Sequence, residues 1–156
     1  MTTDLASKSQ QLKAHGETLS KSTTRPCAPL NANCVVCGVR NTNGLQLDFR
    51  SGPDGVEALW VPTKSWQGFQ GVVHGGIIST VLDEAMSKAV IARGWEALTV
   101  DLRVRLRRRV TPGEELRICG WVVEKHKRRI LTEAVLVTSF GIERAHAWAT
   151  FLIPRT

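Results

Sequence analysis

No apolar run in the 156-residue sequence approaches the ~20 residues that a helix needs to cross a membrane. The first 26 residues, MTTDLASKSQQLKAHGETLSKSTTRP, hold no apolar stretch of the secretory kind. A soluble protein of the cytoplasm, without membrane association, is therefore expected. Cysteine is sparse: Cys27, Cys34, Cys37 and Cys119 are too few and too unevenly spread for a disulfide-stapled scaffold, so free thiols are expected. Acidic residues are outnumbered, 14 against 21 Lys and Arg. The resulting net charge of +7 favours a polyanionic partner: nucleic acid, acidic membrane or a small phosphorylated ligand.

The length fits one domain with a real core. Residues 1–30 read as a polar N-terminal extension, rich in Ser, Thr and Lys, with room for one short helix, and residues 31–156 as the folded domain. Leu45, Leu47 and Phe49 alternate with polar neighbours, break at Gly52-Pro53-Asp54-Gly55 and resume at Val56, which predicts a hairpin. Ile77, Ile78, Val81, Leu82, Ala85, Met86, Ala89 and Val90 recur at helical spacing and predict one long helix ending near Gly94. Val100, Leu102, Val104 and Leu106 then alternate with Asp101, Arg103, Arg105 and Arg107, the period of a strand with one covered face. Breaks at 111–114, 124–129 and 140–143 separate three further apolar runs. The expected class is α+β: a hairpin, one helix, then four strands in a meander. One helix cannot cover both faces and all edges of such a sheet, so a homo-oligomer is expected.

The stretch GVVHGGIISTVLDEAM, residues 71–86, carries the chemistry. Gly75 and Gly76 stand at the helix start, where N–H groups lack intrahelical partners and face the positive end of the helix dipole. Without side chains there, a ligand carbonyl can approach, and the Gly75 N–H can stabilise an oxyanion; the alternative is that the glycines merely permit a sharp turn. Asp83 and Glu84 flank the apolar face, and a helical wheel does not say which is buried; a partly exposed flank charge is the plain reading of Asp83. Asp83 lies nine residues after His74, on the order of 13 Å along the axis, too far to share a carbonyl with Gly75 of its own chain. Two antiparallel helices of a two-fold dimer remove that obstacle. His74 either titrates in catalysis or caps and positions the turn.

GVVHGGIISTVLDEAM followed by TVDLRVRLRRRVTPGEEL resembles the hotdog-fold acyl-CoA thioesterases of the phenylacetate-pathway type, over roughly residues 34–153. The resemblance implies an antiparallel sheet wrapped around one long central helix, paired as a dimer or a dimer of dimers. It implies hydrolysis of acyl-CoA to an acid and coenzyme A, with Asp83 as base or nucleophile, Gly75 N–H as the partner chain's oxyanion donor, Thr99 placing water or the acid, and His74 orienting the loop. Gly76, Gln67 and Gly68 would line the substrate site. Many members carry Asn or Gln where this chain has Gly68, six residues before His74, and neither Gln67 nor Gln70 is in register. NCVVCGVRNTNGLQLDF also looks like the lead-in of a subgroup of these proteins. Cys34 and Cys37 have zinc spacing but no second pair, so a tight turn with two buried thiols is expected, with no metal and no cofactor; Cys119 reads as core.

Arg103, Arg105 and Arg107 sit on alternate positions able to grip the phosphates of coenzyme A, the plain alternative being a solvated basic face. Five arginines within 103–109 also admit a nucleic-acid binder, but no helix-turn-helix, zinc-finger or RNA-recognition signature accompanies them. A non-catalytic acyl-CoA sensor or carrier, and last a dehydratase using His74, complete the alternatives. Trp60, Trp66, Phe69 and Trp95 point to an aromatic or medium-length acyl tail.

Overall fold

The computed structural model describes residues 25–26, as backbone only, and 32–155. The N-terminal extension and Cys27 lie outside the described residues, apart from the two-residue strand β1 (Arg25–Pro26). The elements that follow are β2 (Arg50–Gly52), β3 (Gly55–Trp60), a single 3-10 turn (Lys64–Trp66), α1 (Gly75–Ala92), β4 (Leu98–Leu106), β5 (Leu116–His126), β6 (Arg129–Thr138) and β7 (Glu143–Leu152). Six strands form an antiparallel sheet in the order β2-β3-β5-β6-β7-β4, with β1 added beside β2. The one α-helix among the described residues packs on one face.

Helix α1 forms where the 3.6-residue period predicts it. Ile78, Val81, Leu82, Ala85, Met86, Ala89 and Val90 are all buried on its sheet-facing side. Its end is set by Gly94, whose φ of 78° is the left-handed conformation that closes a helix. Opposite it, β3 contributes Val56, Ala58 and Trp60, β5 Leu116 and Ile118, and β6 Ile130, Ala134 and Leu136. Strand β7 adds Ala145, Ala147, Ala149 and Phe151. Each large apolar side chain so buried contributes about 1.5–3 kcal/mol. Gly120 lets helix and sheet approach closely, since a Cβ there would lie 2.6 Å from the Ala85 carbonyl oxygen. Trp60 is thus a core residue, buried beneath α1.

Three expectations need correction. The four last strands are not a simple meander: β5, β6 and β7 are consecutive neighbours, but β4 pairs with β7 and β5 with β3. The physical reason is α1, which crosses the sheet and carries the chain from β3 to the far edge. Residues 107–115 bring it back, held by Val73 N–H to Val110 O (2.9 Å), Gly113 N–H to Pro62 O (2.7 Å) and Arg144 Nε to Glu114 (2.9 Å).

The first hairpin strand is also shorter than its alternation implies. Leu45 and Leu47 direct their N–H groups to Val35 and Val36 of the lead-in (both 2.8 Å), and Gln46 turns to a φ of 51°. Only residues 50–52 pair with β3.

Finally, β4 does not have a covered apolar face within one chain. Leu98, Val100, Leu102 and Leu106 are 39–68% exposed, because β4 is an edge strand that α1 covers only in part, with Val104 packed on the core, and a register shift between Thr99 and Asp101 breaks its alternation.

Candidate active site

The segment between β3 and α1 doubles back on itself. Gln67 bridges to Val73, Gly68 N–H donates to Val72 O (2.9 Å), and Gly71 takes a φ of 74°. Gln67 Oε1 accepts from Gly71 N–H at 3.0 Å, so this side chain braces the loop. Gly68 is held against His74: a Cβ at Gly68 would stand 3.0 Å from His74 Cδ2 and 3.5 Å from its Cα. Close loop packing therefore fills the space beside Gly68.

His74 is the N-cap of α1. Its Nδ1 accepts the Gly76 N–H at 2.9 Å, so Nδ1 carries no proton and one of the orphan donors of the helix start is satisfied. This supports the positioning role and engages Gly76. Gly75, the first helical residue, is left with its N–H accepted by nothing among the described residues. A Cβ at Gly75 would lie 2.7 Å from Leu106 Cδ1, so the missing side chain lets Leu106 of β4 pack against the helix start.

Gly75 and His74 border a cleft of about 550 Å³, together with Gly68, Phe69, Leu106 and the run Arg107, Arg108, Arg109. Phe69 is almost fully exposed at its mouth, whereas Trp66 and Trp95 are half-buried against the core. Arg108 and Arg109, part of the same arginine run in the sequence, reach this cleft because the Val73–Val110 hydrogen bond folds the segment after β4 against the helix start.

Asp83 sits two turns further along α1 and is half-buried. Thr99 Oγ1 donates to its Oδ1 at 2.9 Å, bringing together the two residues that the sequence reading paired. Burial pushes the Asp83 carboxyl above its ordinary range, the Thr99 hydroxyl pulls it down and the neighbouring Glu84 charge pushes it up, with a net rise. Glu84 turns the other way, toward Cys34 and Lys88. Asp83 does not border the cleft that holds Gly75. Eight residues separate them, about 12 Å along the axis.

The arginines do not act as one row. Arg107 forms an ion pair with Glu143 and borders the Gly75 cleft. Arg103 lies over Trp148, 5.6 Å from the ring centroid, and Arg105 is opposite His146. Trp148 and His146 stack at 4.2 Å on the sheet face away from α1. Arg103 and Arg105 thus belong to that outer face, and only Arg107 of the three predicted residues meets the helix start. No helix of the described residues is long and apolar enough to cross a membrane.

Residues 70–141 match a family model described as the thioesterase superfamily. Solved structures share the fold. A thioesterase superfamily protein aligns with a TM-score of 0.76 and 23% identity, over 96% of this chain and 75% of its own. A Streptococcus mutans protein bound to acetyl-CoA aligns at 0.65 and 22%, over 69% of this chain and 88% of its own. A hypothetical thioesterase of Streptococcus pneumoniae with coenzyme A aligns at 0.65 and 19%, over 69% and 85%. Two further structures of that pneumococcal protein carry single alanine replacements, one of an aspartate and one of a threonine sixteen positions later. A sequence search of curated proteins returns no match.

Proposed function

We propose that this protein is an acyl-CoA thioesterase, working at two equivalent sites between protomers of a hotdog dimer. Water adds to the thioester carbonyl, the C–S bond breaks, and a carboxylic acid and the coenzyme A thiol leave. Asp83 takes the proton from the attacking water, or attacks directly. Its Oδ1 is held by Thr99, which leaves Oδ2 for the water. The Gly75 N–H of the partner chain holds the carbonyl oxygen as negative charge develops. His74 fixes the helix start through its cap on Gly76.

The observation that carries this reading is the pair of complementary half-sites. One chain holds an open amide at a helix start and a hydroxyl-oriented, partly desolvated carboxylate, about 12 Å apart on one helix. Neither completes a site alone, and an antiparallel partner helix supplies each with the other. The exposed apolar residues of edge strand β4 give such a partner a surface to cover. The sixteen-residue spacing of Asp83 and Thr99 equals that of the aspartate and threonine replaced in the pneumococcal protein.

The acyl-CoA assignment draws on the coenzyme A and acetyl-CoA carried by two structural neighbours, and on Arg107, Arg108 and Arg109 beside the cleft. The narrower phenylacetate-pathway type, and action in the cytoplasm, are our readings of the sequence resemblance and the N-terminal composition. A nucleic-acid role is disfavoured because the arginines divide between two faces. The packing of Gly68 against His74, which leaves no side chain to hold the thioester, favours a non-catalytic acyl-CoA carrier as the second reading.

A thiol-release assay over acyl-CoAs of varied chain length and ring content separates the two. Hydrolysis of at least one acyl-CoA, lost in Asp83→Ala, supports the enzyme. Binding without release on any of them selects the carrier.

A further inference from the structure

The lead-in that precedes β2 is built as a tight turn around two sulfurs. Gly38 N–H donates to Cys34 O at 3.0 Å, and Val36 N–H points at Cys34 Sγ from 3.4 Å. Gly38 cannot be replaced without distortion: a Cβ there would lie 2.4 Å from Cys34 N and 2.5 Å from Cys34 O. The turn therefore presents a backbone donor to sulfur and brings Cys37 to the same side. Both thiols are half-buried, less covered than the sequence reading expected.

Helix α1 meets this turn with Glu84, fifty residues away in sequence. Cys34 Sγ lies 3.8 Å from Glu84 Oε2, and Cys34, Cys37 and Glu84 offer ligand atoms that all fall within 4.8 Å of one another. With metal–sulfur bonds of about 2.3 Å and metal–oxygen bonds of about 2.1 Å, a tetrahedral ion holds sulfur and oxygen about 3.6 Å apart. The observed separation is near that value before any adjustment. The other carboxylate oxygen, Oε1, is 3.6 Å from Nζ of the buried Lys88, the support that a ligating carboxylate usually has.

We propose that Cys34 Sγ, Cys37 Sγ and Glu84 Oε2 bind a thiophilic divalent cation, with zinc the best match to two sulfurs and a carboxylate. The fourth position falls to solvent. Charge balances in both states. Without metal, two neutral thiols accompany the Glu84–Lys88 pair; with it, two thiolates and a carboxylate offset the dication and the Lys88 ammonium. Two protons leave as the cation enters. The bound ion would tie the lead-in to the helix that carries Asp83, independently of whether the chain hydrolyses thioesters.

The test uses the full chain without an affinity tag. The reduced, metal-free protein is titrated with zinc, followed by elemental analysis, and separately with cobalt, followed by its sulfur-to-metal charge-transfer and tetrahedral visible bands. One equivalent per chain is expected, lost in Cys34→Ser/Cys37→Ser, weakened at least about tenfold in Glu84→Gln, and kept in Cys119→Ser. Should the double variant fail to fold, alkylation of the wild-type chain decides: zinc should protect Cys34 and Cys37, read by peptide mass, and a chelator should restore their labelling. Absence of stoichiometric binding, retention of the metal by a folded double variant, or equal alkylation with and without zinc overturns the site.

Discussion

Replacing Asp83 by Asn separates what this residue does for the fold from what it does for chemistry. The side chain keeps its volume and the oxygen that accepts from Thr99 at 2.9 Å, and loses only its charge. A hydrogen bond to a carboxylate contributes about 1.5–3 kcal/mol and one to a neutral amide about 0.5–1.5, so that contact weakens by about 1 kcal/mol. Against this stands the desolvation of the carboxylate. Burial outweighs the Thr99 contact, since the carboxyl is shifted upward on balance, so the ionised form is a net cost to the folded state. The sign follows by linkage. The cost is absent below the ordinary aspartate range, where both states are protonated, grows as pH rises from there to the raised folded value, and is constant above it.

Asp83→Asn is therefore expected to melt at the same temperature as wild type or up to about 4 °C higher at pH 7, a gain of at most about 1 kcal/mol for a chain of this size. That difference should vanish at a pH where wild-type Asp83 is protonated in both states. Thiol release should fall by about 10²–10⁴, the usual contribution of a positioned base and about 3–5 kcal/mol in barrier. Calorimetry at two pH values beside a coupled thiol assay measures both. A variant that keeps activity within threefold, or that loses more than about 2 kcal/mol of stability, refutes the reasoning.

Thr99→Val removes the contact that lowers the Asp83 pKa, so the acid limb of kcat/KM, already above the ordinary carboxylate range, should move to still higher pH; a pH–rate profile checks it. His74→Ala should cost about 0.5–2 kcal/mol through the lost cap on Gly76 and should lower activity, while His74→Asn, which can cap, should recover most of the stability in thermal melts.

How much of this was legible in sequence depends on how local the cause is. Helix α1 is set by a period within eighteen residues, and its apolar positions read correctly from Ile78 to Val90. His74, Gly75 and Asp83 stand out because a cap, an open helix start and an acid on one helix are a local pattern. The neighbours of β4 are not local: α1 carries the chain across the sheet, and no feature of 98–106 announces that it will pair with 143–152. Leu45, Leu47 and Phe49 alternate like a strand, but the Leu45 and Leu47 N–H groups go to the cysteine turn, which no period reveals. The arginines show the same limit. Alternation places Arg103 and Arg105 on one face correctly, but only the fold shows that this face is turned away from the helix start. The contact of Glu84 with Cys34 could not be read from a helical wheel, because Cys34 lies fifty residues before it.

Subunit complementation tests the shared site most directly. Gly75→Pro deletes the donor N–H at the first helical position, where proline suits the backbone, since His74, at φ −61° and ψ 131°, already has the conformation that precedes proline, and where only the end of the flexible Leu106 side chain has to shift. Alone, this variant and Asp83→Asn should each be nearly inactive. Unfolded together, mixed in equal amounts and refolded, half of the dimers should pair one of each and regain one intact site of two, which gives about a quarter of wild-type activity. Recovery to that level is the predicted result; a mixture no more active than its two components would show that Asp83 and Gly75 do not meet across the dimer, and would contradict the account.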